Sequence, residues 1–144
     1  MFSSKTRYAL RAVIYLSINE KNGKKIGIRD ISSNLDIPTP FLAKIMQNLA
    51  RQKVLISSKG PKGGFALAKP ADKITIMEII EKTEGKDFFD KCLIGIKSCS
   101  EGKVRCPFFK EYNKVRDQLK ELFRKQSMQQ LKDDLNLSGE KFKI

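Results

Sequence analysis

Residues 28–67 read IRDISSNLDIPTPFLAKIMQNLARQKVLISSKGPKGGFAL, and the punctuation of this stretch decides the fold. Ile28, Ile31 and Leu35 recur at steps of three and four, so it opens with a short amphipathic helix. Asp36 to Pro40 then places two prolines within three positions, which ends that helix in a tight turn. Thr39 reads as the N-cap of the next helix with Pro40 at its first position, and Leu42, Ile45, Met46 and Leu49 form its apolar stripe. Val54 to Ser58 is β-prone, Gly60-Pro61-Lys62-Gly63-Gly64 is dense in turn residues, and Phe65 and Leu67 resume on one face. The result is a hairpin with a basic tip.

Working outward, Ala9, Leu10, Ala12, Val13, Tyr15 and Leu16 give Thr6 to Asn19 a helical period that Asn22-Gly23 breaks. Ile74 to Thr83 fits a fourth helix capped by Thr75 and closed at Gly85. No period is sustained from Lys86 to Arg105. Cys106-Pro107 opens a last helix, whose stripe of Tyr112, Val115, Leu119, Leu122, Phe123 and Gln126 runs to about Met128. The expected fold class is mainly α with a small β wing: a winged helix-turn-helix over 1–72, then a fourth helix, a cysteine loop and a long C-terminal helix over 73–130. Residues 131–144 read as a loosely held tail.

The 144 residues suit one domain, and a composition of 40% hydrophobic and 31% charged residues is that of a globular chain. No apolar run approaches the roughly 20 residues of a membrane span, and no cleavable apolar stretch follows Lys5, Arg7 and Arg11, so a cytoplasmic location with no membrane partner is predicted. Lysine and arginine number 29 against 16 acidic residues, a net charge of +13. Residues 1–72 hold 13 basic and 4 acidic residues, against 16 and 12 in 73–144, so the excess lies in the first half. Such a surface points to a polyanion, with double-stranded DNA first. The absence of histidine removes the commonest general base, and no nucleophile-base pair or small-molecule substrate site is visible, so an enzyme is not expected.

A recognition helix needs one face on its own domain and another offered to base edges. Opposite the apolar stripe of the third helix stand Pro40, Ala43, Lys44, Gln47 and Arg51. Lys44 and Gln47 are the candidate base readers, and Thr39 and Arg51 the candidate phosphate holders at the two ends. An ordinary solvated helix face is the competing reading. The hairpin tilts the choice: its glycines let the tip bend, Pro61 stiffens it, and Lys59 and Lys62 put positive charge where an adjoining minor groove would lie.

Cys92, Cys99 and Cys106 form a C-x6-C-x6-C pattern. A step of seven also suits core residues on one helix face, but Gly95, Ser98, Ser100, Gly102 and Pro107 interrupt a continuous helix there. A loop of this length needs an organiser, which three thiolates on a metal centre would supply. An odd cysteine count disfavours a disulfide framework.

The segments SSKTRYALRAVIYL, IRDISSNLDIPTPFLAKIMQNL and VLISSKGPKGGFAL, followed by three cysteines and a long helix, resemble the bacterial winged-helix regulators typified by IscR, NsrR and CymR. The resemblance covers about residues 1–130. It implies a homodimer through the C-terminal helix, bound to a roughly palindromic operator, and the apolar stripe makes Tyr112, Val115, Leu119, Leu122 and Phe123 the expected interface. It also implies DNA contacts from Thr39, Pro40, Ala43 and Lys44 and from Lys59, Gly60 and Pro61, to which charge adds Lys62. Ala43 departs from relatives that carry a carboxylate there. By the same resemblance Cys92, Cys99 and Cys106 are ligands of an iron–sulphur cluster, of 2Fe-2S or 4Fe-4S type. Its fourth ligand is unassigned, since Phe109 stands where IscR-like relatives have a histidine ligand and Arg7 where NsrR-like relatives have a carboxylate.

The leading expectation is therefore a dimeric, sequence-specific transcriptional regulator whose DNA affinity follows a cysteine-bound, redox-sensing cluster. One alternative is a regulator of the same family that senses through thiols or a protein partner without a cluster. Another, of a different class, is an iron–sulphur scaffold or electron carrier.

Overall fold

The computed structural model describes residues 1–92 and 108–137. Among them α1 (Ser4–Asn19), α2 (Ile28–Leu35), α3 (Thr39–Arg51), the hairpin β1 (Leu55–Ser58) and β2 (Gly64–Leu67), α4 (Ile76–Glu84), α5 (Phe109–Lys125) and α6 (Met128–Leu137) follow in order. This is a winged helix-turn-helix with a long helix after it, as the punctuation of 28–67 predicts.

The helix-turn-helix is held by a few specific bonds. Asp36 adopts a left-handed conformation at φ 52°, and its N–H and that of Ile37 both return to the Ser32 carbonyl, closing α2. The Ser32 hydroxyl donates to the Ile37 carbonyl at 2.6 Å and lies 2.7 Å from the Thr39 hydroxyl, which must then be the donor of that pair. Thr39 is accordingly turned inward: the N-cap of α3 is Pro38, and no side chain caps that end. Leu35, Ile37, Leu42, Met46 and Leu49 are buried together with Ala9, Ala12, Val13 and Leu16 of α1 and Leu55 of β1, forming one core. At roughly 1.5–3 kcal/mol for each fully buried large aliphatic, this core rather than helix propensity holds the helices.

The wing is an antiparallel pair in the register Leu55↔Leu67, Ile56↔Ala66, Ser57↔Phe65 and Ser58↔Gly64. Ile26 adds a third, one-residue strand, since its N–H and carbonyl exchange bonds of 2.9 and 2.8 Å with Phe65. That approach requires Gly64, whose φ is 137° and whose Cβ, if present, would stand 2.3 Å from the Ile26 carbonyl oxygen.

Thr75 caps α4 by accepting from the Glu78 N–H at 3.2 Å, and Gly85 ends it at φ 106°, both as expected. The ends of α1 and α4 are joined at Glu84, whose Oε1 accepts from the Ser3 N–H at 2.8 Å and from the fully buried Thr6 hydroxyl at 2.6 Å. Burial raises the Glu84 pKa, but the Thr6 and Ser3 bonds outweigh it and hold the carboxyl below its ordinary value.

Two expectations for the C-terminal part are corrected. The helical stripe does not run unbroken to Met128. The chain breaks at Gln126 and Ser127, where the Ile76 N–H reaches the Gln126 carbonyl at 3.0 Å and the Met128 N–H reaches Ile74 at 2.8 Å. Nor is the chain loosely held from residue 131, because α6 continues to Leu137, with Met128 fully buried in the main core and Leu131 packed on it. Ser127 and Gln130 form a reciprocal capping box, with the Ser127 N–H donating to Gln130 Oε1 at 2.8 Å and the Gln130 N–H donating to Ser127 Oγ at 3.2 Å. No described helix is long and apolar enough to cross a membrane.

Candidate nucleic-acid interface

The apolar stripe of α3 fixes its rotation. With Leu42, Ile45, Met46 and Leu49 buried, Pro40, Lys44, Gln47 and Arg51 are exposed on the opposite face and Ala43 is half-buried beside them. Thr39 is half-buried, its hydroxyl spent on Ser32. At the tip of the wing Lys59, Gly60, Pro61 and Lys62 are all exposed, and the Gly63 N–H closes the turn on the Gly60 carbonyl at 2.9 Å. None of Lys44, Arg51, Lys59 and Lys62 is ion-paired with another described residue. This side of the molecule therefore offers uncompensated positive charge.

Between α3 and the wing runs an open cleft of about 710 Å³ that brings Gln47 together with Lys59, Gly60 and Pro61. Arg51 borders a second groove, beside Lys53 and Ile56, that shares Gln47 and Ser57 with the first. Two residues here escaped the sequence reading. Arg29, in the first turn of α2, lines the cleft because the wing folds back over that turn through the Ile26–Phe65 bridge. Phe41 is 42% exposed and meets Tyr8 edge-on at 5.6 Å. Its signal was visible: it is an aromatic on α3 that falls outside the buried stripe.

The long helix carries the second set of candidates. Phe108, Tyr112, Val115, Leu119, Leu122 and Gln126 step by four and three, the seam spacing of a coiled coil. Val115 and Leu122 are 53% and 54% exposed, and α5 has no buried residue. Phe123 belongs elsewhere. It packs against Phe2 and Phe89 of its own chain, at centroid distances of 5.8 and 6.0 Å, so it faces away from the seam.

Phe89 lies in a 3-10 turn, Phe88–Asp90, that leads directly to Cys92. Asp90 of the same turn pairs with Lys120 of α5 at 2.8 Å; Lys120 is the first cause, with Arg116 and Arg124 behind it, that keeps this carboxyl below its ordinary value. Cys92 is half-buried, whereas Cys99 and Cys106 lie outside the described residues, as does the expected helix start at Cys106-Pro107. Phe109, 40% exposed, sits in the first turn of α5.

A family model named Rrf2 and described as an iron-dependent transcriptional regulator matches residues 2–134. A protein of Aquifex aeolicus, named as a candidate HTH-type transcriptional regulator, is 38% identical over 125 residues, 86% of this chain and 85% of its own length. The HTH-type transcriptional regulator IscR of Cereibacter sphaeroides is 35% identical over 83 residues, 57% of this chain and 54% of its own. Among solved structures, CymR of B. subtilis, titled the global cysteine regulator, superposes with a TM-score of 0.77 at 22% identity, covering 92% of this chain and 96% of that one. IscR of T. potens superposes at 0.72 with 18% identity, covering 94% and 88%. These two likenesses concern the fold.

Proposed function

The chain belongs to the Rrf2 family of iron-dependent transcriptional regulators, and from that premise we propose that it is a homodimeric, sequence-specific DNA-binding regulator whose affinity is set at Cys92, Cys99 and Cys106. The observation that carries the reading is the placement of charge without ion-pair partners among the described residues: Lys44 and Arg51 lie on the exposed face of α3 and Lys59 and Lys62 at the wing tip, and Gln47 and Lys59 line the cleft between the two elements. In this reading α3 enters a major groove with Lys44 and Gln47 toward base edges, and the wing reaches the adjoining minor groove with Lys59, Gly60, Pro61 and Lys62. Thr39, Pro40 and Ala43 approach the duplex at the near end of α3, and Arg51 holds a phosphate at the far end. The seam of Tyr112, Val115, Leu119 and Leu122 pairs with its copy and sets the spacing of the two recognition helices.

Three thiolates within one short segment suit an iron–sulphur cluster, and no histidine competes as a ligand. Cys92, Cys99 and Cys106 would hold the cluster, which when bound supplies a centre that changes charge or composition with oxidant. The residues that follow from the fold are those flanking it. Phe89 and Asp90 grip α5 through Phe123 and Lys120, so a rearrangement of the cysteine segment bears on the angle of the proposed dimer helix.

Protein purified without oxygen tests the cofactor: iron and acid-labile sulphide that disappear in each Cys→Ala variant support the cluster, and their absence after reconstitution favours a regulator acting through thiols alone. Fluorescence anisotropy on a duplex enriched from a random pool tests the docking. Lys62→Ala should weaken all sequences alike, whereas Lys44→Ala or Gln47→Ala should also relax base preference. Unchanged binding in the Lys44 and Lys59 variants would contradict it.

A further inference from the structure

A sugar-phosphate strand separates every major groove from the minor groove beside it, so a helix in one and a hairpin in the other must straddle that strand. Here the gap between the two elements is the 710 Å³ cleft, and residues of α2, α3 and the wing line it together. Arg29 enters it from the first turn of α2, exposed and without an ion pair to any described residue. Ser57 enters it from β1. Its cross-strand partner is Phe65, so it shares the face on which Leu55 and Phe65 are buried and lies just past the edge of that core.

Resting on the DNA-binding reading above, we propose that Arg29 and Ser57 form a third contact element that seats the backbone phosphate passing between α3 and the wing. A guanidinium offers two parallel donors to a phosphate, and a hydroxyl adds a third without charge. Asp30 lines the same cleft with the opposite charge. It opposes the phosphate and limits affinity there, so its effect has the opposite sign to that of Arg29, and of Lys59 on the wing side of the same cleft.

The test uses the full chain and one enriched duplex over a series of salt concentrations. Arg29→Ala should weaken all sequences by about tenfold and reduce the salt slope by about 0.9, while Asp30→Asn should tighten binding. Arg29→Lys should restore the slope but not the full affinity. Arg29 is exposed, and an unchanged circular dichroism spectrum in Arg29→Ala assigns the loss to the contact. Duplexes with one neutral methylphosphonate locate it. The position that costs the native chain affinity should cost Arg29→Ala nothing further, yet still penalise Lys62→Ala. A native slope in Arg29→Ala, or no methylphosphonate position that loses its effect, would overturn the contact. A native chain that prefers no duplex would instead overturn the DNA-binding reading, and this contact with it.

Discussion

The Lys120 ammonium stands 2.8 Å from the Asp90 carboxylate, joining the middle of α5 to the turn that runs into Cys92. The Asp90 side chain is 51% exposed, so removing the pair should change global stability by less than about 1 kcal/mol. Its local effect should be larger. In Asp90→Asn, amide hydrogen exchange over residues 88–92 should accelerate while that of α1 and α3 stays as it was. Unchanged exchange at 88–92 would mean that the Phe89–Phe123 contact alone holds the turn.

Glu84 makes a pH-dependent contribution of known sign. Its folded pKa is lowered, so it stabilises the fold above its ordinary value of 4.5 and loses that contribution as pH falls through the folded value. Urea titrations of the native chain and Glu84→Gln should therefore differ at neutral pH and converge in acid below 4.5. A difference that persists unchanged in acid would remove the charge from the account of this bond.

The wing offers a paired test at two glycines. A methyl at Gly64 would meet the Ile26 carbonyl oxygen at 2.3 Å, and φ is 137°. Gly64→Ala should cost about 2 kcal/mol or more and loosen the Ile26 bridge. Gly60, at φ 98° in open space, should cost only about 1 kcal/mol of backbone strain on the same change. Thermal unfolding checks the order, and a larger loss at Gly60 would contradict the packing described.

On α5, Leu122→Asp should give a monomer in analytical ultracentrifugation with an unchanged helical spectrum, because Leu122 is 54% exposed within its own chain. Phe123→Asp should behave differently: it should unfold the small cluster of Met77, Ile80 and Phe89 on which Phe123 packs. Native protein that sediments as a monomer at micromolar concentration would refute the seam.

How much of this was legible depended on whether the deciding interaction was local. The end of α2 and the two ends of α4 followed from the Asp36 to Pro40 turn, Thr75 and Gly85, each acting on its own neighbours. The capping box Ser127-x-x-Gln130 was equally local but was overlooked because an apolar stripe continued through Met128, whose partner is the distant Ile74. Thr39 looked like a cap until Ser32 claimed its hydroxyl. Phe123 shared a helical stripe with Leu119 and Leu122, and only Phe2 and Phe89, remote in sequence, separate it from them. Arg29 gave no local signal at all, since it reaches the candidate interface only through the Ile26–Phe65 bridge.

The central claim is that two copies of this chain read a two-fold DNA site with α3 and the wing. Selection of duplexes from a random pool, followed by hydroxyl-radical footprinting of the enriched sequence, tests it most directly. The account predicts a roughly palindromic site whose half-sites lie about 34 Å apart or at a multiple of it, with protection of the strands flanking each major groove and loss of both footprints in Leu122→Asp. Enrichment of a single asymmetric site, protected equally well by the Leu122→Asp monomer, would contradict it.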